Sequence, residues 1–308
     1  MYKNEIVDEI KKVIKGKDDV IKKVLLAVLS GGHILIEDVP GVGKTTMALA
    51  FSKAMSLDTN RIQFTPDVLP SDIVGFSIYN NKTGDFEYKE GTVFCNLLLA
   101  DEINRTSPKT QSALLQIMEE GKVTVDGVTR EIYEPFIVIA TENPVGSAGT
   151  QMLPESQLDR FIIKITVGYP EIENEIEMLK SKEKCNPLNS VEAVCKKEDI
   201  IKMQSEADDV FISDEIYNYI GNIVQLTRNN SMIELGISPR GTIALCKMAK
   251  SNAYLNNRDF VIADDILYVF KDVASHRIVL NSMAYSNNIT IDKVLDDILN
   301  QVQIPSLK

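Results

Sequence analysis

His33-Ile34-Leu35-Ile36-Glu37-Asp38-Val39-Pro40-Gly41-Val42-Gly43-Lys44-Thr45-Thr46 decides how the chain is read. The apolar run from His33 to Ile36 reads as a short buried strand, and Met47 to Ala54 reads as a helix. Strand, glycine turn and helix are the setting of a phosphate-binding loop. Gly41 and Gly43 let backbone N–H groups crowd around phosphate oxygens, and the helix N-terminus adds a favourable dipole. Lys44 is placed to reach the β- and γ-phosphates, and the Thr45 hydroxyl to ligate Mg²⁺. The expected phosphate-binding residues are therefore Asp38, Pro40, Gly41, Val42, Gly43, Lys44, Thr45 and Thr46. One position departs from the pattern G-x-x-x-x-G-K-[ST]: its first glycine falls at Asp38, and Pro40-Gly41 must make the turn instead.

Downstream, Leu97-Leu98-Leu99-Ala100-Asp101-Glu102 is a continuous apolar run ending in two acids. Such a run suits a central parallel strand covered on both faces. Its C-terminal end is where open α/β sheets bind ligands. Paired acids at a strand end are ordinarily solvated loop residues, but a phosphate loop upstream gives them work. Asp101 can hold Mg²⁺, directly or through water, and Glu102 can polarise an attacking water. A third apolar run, Phe136 to Ala140, ends in Thr141-Glu142-Asn143. The Asn143 amide would orient the water or touch the γ-phosphate. Leu158-Asp159-Arg160-Phe161 leads into a last strand.

Two hairpins interrupt this α/β pattern. Gly75 to Asn80 and Asp85 to Glu90 alternate around Asn81-Lys82-Thr83-Gly84, and Lys122 to Val125 and Val128 to Ile132 flank Asp126-Gly127. The turn Ile14 to Lys17 is either a wall for a base or a simple connection. From Tyr169 onward helical spacing takes over. The layout is an α/β core over 1–168, followed by an all-α region over 169–308.

Composition excludes several classes. The 308 residues carry a net charge of −11, which argues against a general polyanion-binding surface. No apolar run approaches membrane-spanning length, and the N-terminus enters a charged amphipathic helix rather than a secretory signal. The four cysteines have no C-x-x-C spacing, as expected of free thiols in a reducing cytoplasm. His33 and His276 are the only histidines, too few for imidazole-based metal or triad chemistry.

These stretches together resemble a MoxR-type AAA+ ATPase of the helix-2-insert class, nearly end to end. The resemblance rests on the loop, on Gln63-Phe64-Thr65-Pro66-Asp67, on Ala100-Asp101-Glu102-Ile103-Asn104-Arg105, on Ala140 to Pro144, on Leu153 to Phe161 and on Ser238-Pro239-Arg240. It implies a P-loop core with a parallel five-stranded sheet and an all-α lid. ATP and Mg²⁺ would be the ligands and Asn143 sensor 1. Arg160 would be the arginine finger given to a neighbouring subunit, and Arg240 sensor 2. Arg105 and Arg130 are alternative trans arginines. A homo-oligomeric ring, a hexamer by analogy, would act in the cytoplasm as a chaperone-like remodeller. Its partner would carry a von Willebrand factor A domain, and the sequence does not identify the client. Competing readings are a magnesium-chelatase-like subunit, a DNA-associated motor and a nucleotide-dependent scaffold that does not hydrolyse. The hairpin tips, Asp126-Gly127 and a single Lys82, disfavour the DNA motor.

Overall fold

The computed structural model describes residues 2–39, 41–143, 151–182 and 187–305. In chain order the first elements are α1 (Lys3–Lys11), α2 (Asp18–Leu29), β1 (Ile34–Glu37), α3 (Lys44–Ala54), β2 (Thr59–Gln63), α4 (Pro70–Val74), β3 (Gly75–Asn80) and β4 (Asp85–Glu90). There follow β5 (Leu97–Asp101), α5 (Pro108–Glu120), β6 (Lys122–Val125), β7 (Val128–Glu131), β8 (Ile137–Glu142), α6 (Glu155–Leu158) and β9 (Ile163–Ile165). The remainder comprises α7 (Ile172–Lys182), α8 (Lys197–Asp208), α9 (Asp214–Arg228), β10 (Ile233–Leu235), α10 (Pro239–Leu255), α11 (Ala263–Ala274), β11 (Val279–Leu280), α12 (Ser282–Ser286) and α13 (Ile291–Gln301).

The chain forms two compact units. One comprises Met1–Lys22, His33–Leu153 and Ile165–Ile201; the other comprises Lys23–Gly32, Pro154–Lys164 and Lys202–Lys308. The parallel five-stranded sheet runs in the order β2-β5-β8-β1-β9. Its central strands are apolar because helices cover both faces: all five residues of β5 are buried, as are Ile34 to Ile36 of β1 and Ile137 to Thr141 of β8. Register then brings three strand ends level. Glu37 lies opposite Glu142, Ala100 opposite Ala140, and Gln63 opposite Asp101. The loop after β1, the acids at the end of β5 and Asn143 after β8 thus leave the sheet side by side.

His33, just before β1, ties the opposite ends of these strands from inside. Its Nδ1 accepts from the Val138 N–H at 3.0 Å, so Nε2 carries the proton given to the Met118 carbonyl at 2.9 Å. Burial pushes its pKa down to about 4, against the pull of the Met118 bond, so the ring is neutral and structural.

Both hairpins form around the expected turns. Ser77 Oγ donates to Asp126 Oδ2 at 2.6 Å, and the Arg130 guanidinium sits 3.7 Å over the Tyr88 ring, which fastens one hairpin to the other. In the second unit α10 packs on α11, and α13 packs on α9 and α11. Features of this helical region absent from the sequence reading include the short helix α12 and an antiparallel pairing of β10 with β11. Runs of three and two residues are too short to show alternation. No helix among the described residues is long and apolar enough to cross a membrane.

Candidate functional site

Gly41 and Gly43 take φ of +91° and +94°, the left-handed region that strains any residue with a side chain. A Cβ at either position would meet nothing within 4 Å, so only the backbone demands glycine there and the space above the loop is open. Gly43 ends the loop and Lys44 opens α3, with half-buried Thr45 and Thr46 in its first turn. The Lys44 ammonium donates to the Asp38 carbonyl at 2.7 Å. Burial lowers its pKa, opposed by the charges of Asp38, Asp101 and Glu102. Pro40 lies outside the described residues.

Asp38 has a job that a glycine could not do. Its buried carboxylate accepts from the Val39 N–H at 2.7 Å through Oδ1, and from Val167 and Gly168 at 2.8 and 2.6 Å through Oδ2. The residue that breaks the glycine pattern therefore ties the loop to the segment following β9.

The acids behave differently from each other. Asp101 is buried; Oδ2 accepts from Arg61 Nε at 2.7 Å and Oδ1 from the Thr141 hydroxyl at 3.3 Å. Thr141 Oγ1 in turn accepts the Glu102 N–H at 2.9 Å, joining β8 to the end of β5. Glu102 adopts φ +57°, ψ +48°, a strained backbone for a non-glycine residue and one that clusters at functional sites. Its Oε2 accepts from Arg105 Nη1 at 2.7 Å, and its side chain also hydrogen-bonds Asn143. Burial works to raise the Glu102 pKa. The bonds from Arg105 and Asn143, with the charges of Arg105 and Lys44, outweigh it and hold the carboxyl below the usual range. Asn104 Nδ2 holds the Asn143 carbonyl at 3.1 Å.

Thr45 and Asp101 offer a hydroxyl and a carboxylate, hard oxygen donors of the kind Mg²⁺ takes together with phosphate and water. That donor set fits the ion, since the Asp101 oxygen facing Thr141 makes only a long bond. Among the described residues no cluster of three or more His, Cys, Asp or Glu side chains forms a self-sufficient metal site. Beside the loop, a cavity of about 490 Å³ is lined by Ile14, Lys17, Gly43, Thr46, Gly168 and Tyr169 among others. Lys17 Nζ closes one side by donating to the Tyr169 carbonyl at 2.8 Å. Size and lining suit a small organic ligand.

The second unit holds the remaining expected residues. Arg160 is half-buried in the turn between α6 and β9, its N–H bonded to the Gln157 carbonyl at 3.2 Å. Arg240 is exposed in the first turn of α10, which Ser238 caps. Arg105 and Arg130, the alternative trans arginines, are both engaged within their own chain, on Glu102 and on Tyr88.

Comparison with known proteins agrees with this fold. A family described as "ATPase family associated with various cellular activities (AAA)" matches residues 33–163, and an AAA lid domain matches residues 225–298. Chaperone MoxR1 of Mycobacterium tuberculosis is 37% identical over 308 residues, covering 97% of this chain and 81% of that one. The chain belongs to the MoxR-type AAA+ ATPases. Another relative, the uncharacterized protein YeaC of Bacillus subtilis, is 50% identical over 97% of this chain and 93% of its own. A solved structure from Cytophaga hutchinsonii, described as a candidate ATPase, superposes with a TM-score of 0.92 at 41% identity, covering 99% of this chain and 96% of that one.

Within this MoxR-type framework, three side chains escaped the sequence reading. Arg61 and Thr141 both hold Asp101, and Arg277 is buried against the turn that carries Arg160. Thr141 sat in a quoted motif and could have been noticed. Arg61 and Arg277 carry no local signal.

Proposed function

We propose that this protein binds ATP and hydrolyses it to ADP and phosphate, and that an assembled ring, hexameric by family analogy, couples the reaction to remodelling or maturation of client protein complexes. The observation that carries the reading is the Glu102 carboxylate, held ionised by Arg105 and Asn143 and within reach of the Lys44 charge. In this reading the cavity beside the loop takes the nucleoside, and loop N–H groups with Lys44 take the phosphates. Mg²⁺ bound by Thr45 and Asp101 would neutralise charge on the phosphate oxygens. Asn143 orients the attacking water. Glu102 accepts its proton as the oxygen bonds to the γ-phosphorus and the bond to ADP breaks. Arg160 and Arg240 neutralise charge on the transferring group.

We assign residues 1–168 to the nucleotide-binding core and 169–308 to the lid, with β3–β4 as the helix-2 insert and β6–β7 as the pre-sensor-1 hairpin. Similarity to Chaperone MoxR1 supports the remodelling role. The family resemblance supports a partner with a von Willebrand factor A domain. Free Cys95, Cys195 and Cys246 support work in a reducing cytoplasm.

Two variants test the reading. Lys44→Ala should lose ATP affinity in a fluorescent-nucleotide titration. Glu102→Gln should bind ATP normally but release phosphate about 10²–10⁴-fold more slowly. Unchanged affinity in the first, or native turnover in the second, overturns the assignment.

A further inference from the structure

We infer that Arg277, Asp159 and Ser238 form a buried relay that fixes Arg160 and Arg240 relative to each other, making Arg277 a positioning residue; the inference rests on the roles proposed above for those two arginines. Arg277 follows α11 and is only 4% exposed. A guanidinium is rarely buried unless its donors are satisfied. Here Nε donates to Asp159 Oδ1 at 2.8 Å, and Nη2 donates to the Asp159 carbonyl at 3.2 Å and the Phe161 carbonyl at 2.6 Å. Nη1 donates to the Ile162 carbonyl at 3.2 Å and to the Val273 carbonyl. One planar group therefore grips residues 159, 161 and 162, on both sides of Arg160.

The other half of the relay reaches Arg240. Asp159 splits its carboxylate: Oδ1 takes Arg277, while Oδ2 accepts from Ser238 Oγ at 2.8 Å. Ser238 Oγ is also the cap of α10, accepting the Gly241 N–H at 3.0 Å. Arg240 lies between those two residues. Gly241 leaves room for the same side chain, since a Cβ there would come within 2.7 Å of Arg277 Cδ and 3.0 Å of its Nε. The turn of Arg160 and the first turn of α10 are thus bolted to one charge. A well-packed apolar side chain would serve stability as well as a buried ion pair. It could not hold three carbonyls of an irregular turn.

The test uses the full-length assembled protein. Ser238→Ala and Arg277→Lys are each made alone and in a background carrying both Arg160→Ala and Arg240→Ala, with Arg160→Ala alone as a reference. Measured are kcat, the Kd of a fluorescent ATP analogue and the thermal midpoint. Ser213→Ala is the control, because Ser213 caps α9 through Ile216 and has no bond to Asp159. Ser238→Ala and Arg277→Lys should each lower kcat about 10–100-fold at unchanged Kd, the scale expected of a small misplacement. Ser238→Thr should restore the rate. Neither relay variant should lower the residual rate of the Arg160→Ala, Arg240→Ala double variant further. Ser213→Ala should lower the thermal midpoint as Ser238→Ala does and keep its kcat. The relay is overturned if both variants keep native kcat while Arg160→Ala loses it. It is equally overturned if the losses persist undiminished in the double-arginine background, or if Ser213→Ala slows turnover as much. A fully active Arg160→Ala would instead remove Arg160 from the chemistry, and the relay's purpose with it, and that single variant shows it.

Discussion

The Asp38 carboxylate accepts the Gly168 N–H at 2.6 Å, and this bond turns the break in the phosphate-loop pattern into a tether. Asp38→Gly would restore the glycine of G-x-x-x-x-G-K-[ST] and leave the Val167 and Gly168 amides without their acceptor. Hydrogen bonds to a charged group are the stronger kind, so the variant should be less stable by about 2–4 kcal/mol. ATP affinity should fall as well, because the backbone whose carbonyl at position 38 seats Lys44 is then no longer fixed by the carboxylate. Chemical denaturation and nucleotide titration check both. A variant as stable as the parent would remove the tether.

Arg105 should tune the acid side of the rate profile. Glu102 must be ionised to accept a proton, and its pKa is lowered, so the active form is lost only as pH falls through that lowered value. Arg105→Ala removes one hydrogen bond and one charge that favour the carboxylate, leaving burial less opposed. The acidic limb of kcat should therefore move to higher pH. Exposed pairs of this kind add little stability, so the thermal midpoint should barely change. An unmoved limb would mean that Arg105 does not govern Glu102.

His33 should make the fold acid-sensitive in a defined window. The folded ring titrates at about 4 against the ordinary 6.5, so the unfolded chain takes the proton first. Stability is full above 6.5 and is lost as pH falls toward 4, by about 3 kcal/mol in all. His33→Gln keeps a donor and an acceptor but cannot titrate. Denaturant midpoints across that window should fall less steeply in the variant than in the parent. Parallel curves would assign the acid sensitivity to other groups.

The sequence shows contiguous chemistry well and distant partnership poorly. The loop, the Asp101-Glu102 pair and both hairpins were legible because each is a run of neighbours whose spacing carries the physics. Asp38 looked like a lapse in a motif, since its partners lie some way along the chain at Val167 and Gly168. Arg277 carried no signal at all: an isolated arginine after a helix reads as solvated. Its meaning comes from carbonyls at Phe161 and Ile162, brought to it only by the packing of the second unit. The β10–β11 ladder was invisible for a different reason, being shorter than one alternation period can reveal.

Arg160 should act across a subunit boundary. If the proposed finger serves the neighbouring ATP site, Arg160→Ala should bind nucleotide almost normally and hydrolyse it poorly. Trans arginines contribute about 10³–10⁵-fold in comparable phosphoryl transfers. Lys44→Ala fails for the opposite reason, because it lacks a working loop yet still carries the finger. Mixing the two inactive proteins under conditions that allow subunit exchange should restore activity, since some interfaces then pair an intact Lys44 with an intact Arg160. Recovery should rise and then fall as the mixing ratio is varied, peaking where both kinds of subunit are abundant. Co-assembly is followed in the same samples by differential labelling. Full activity of Arg160→Ala alone would put the finger elsewhere. Co-assembled mixtures that stay inactive at every ratio would leave Arg160 acting within its own chain.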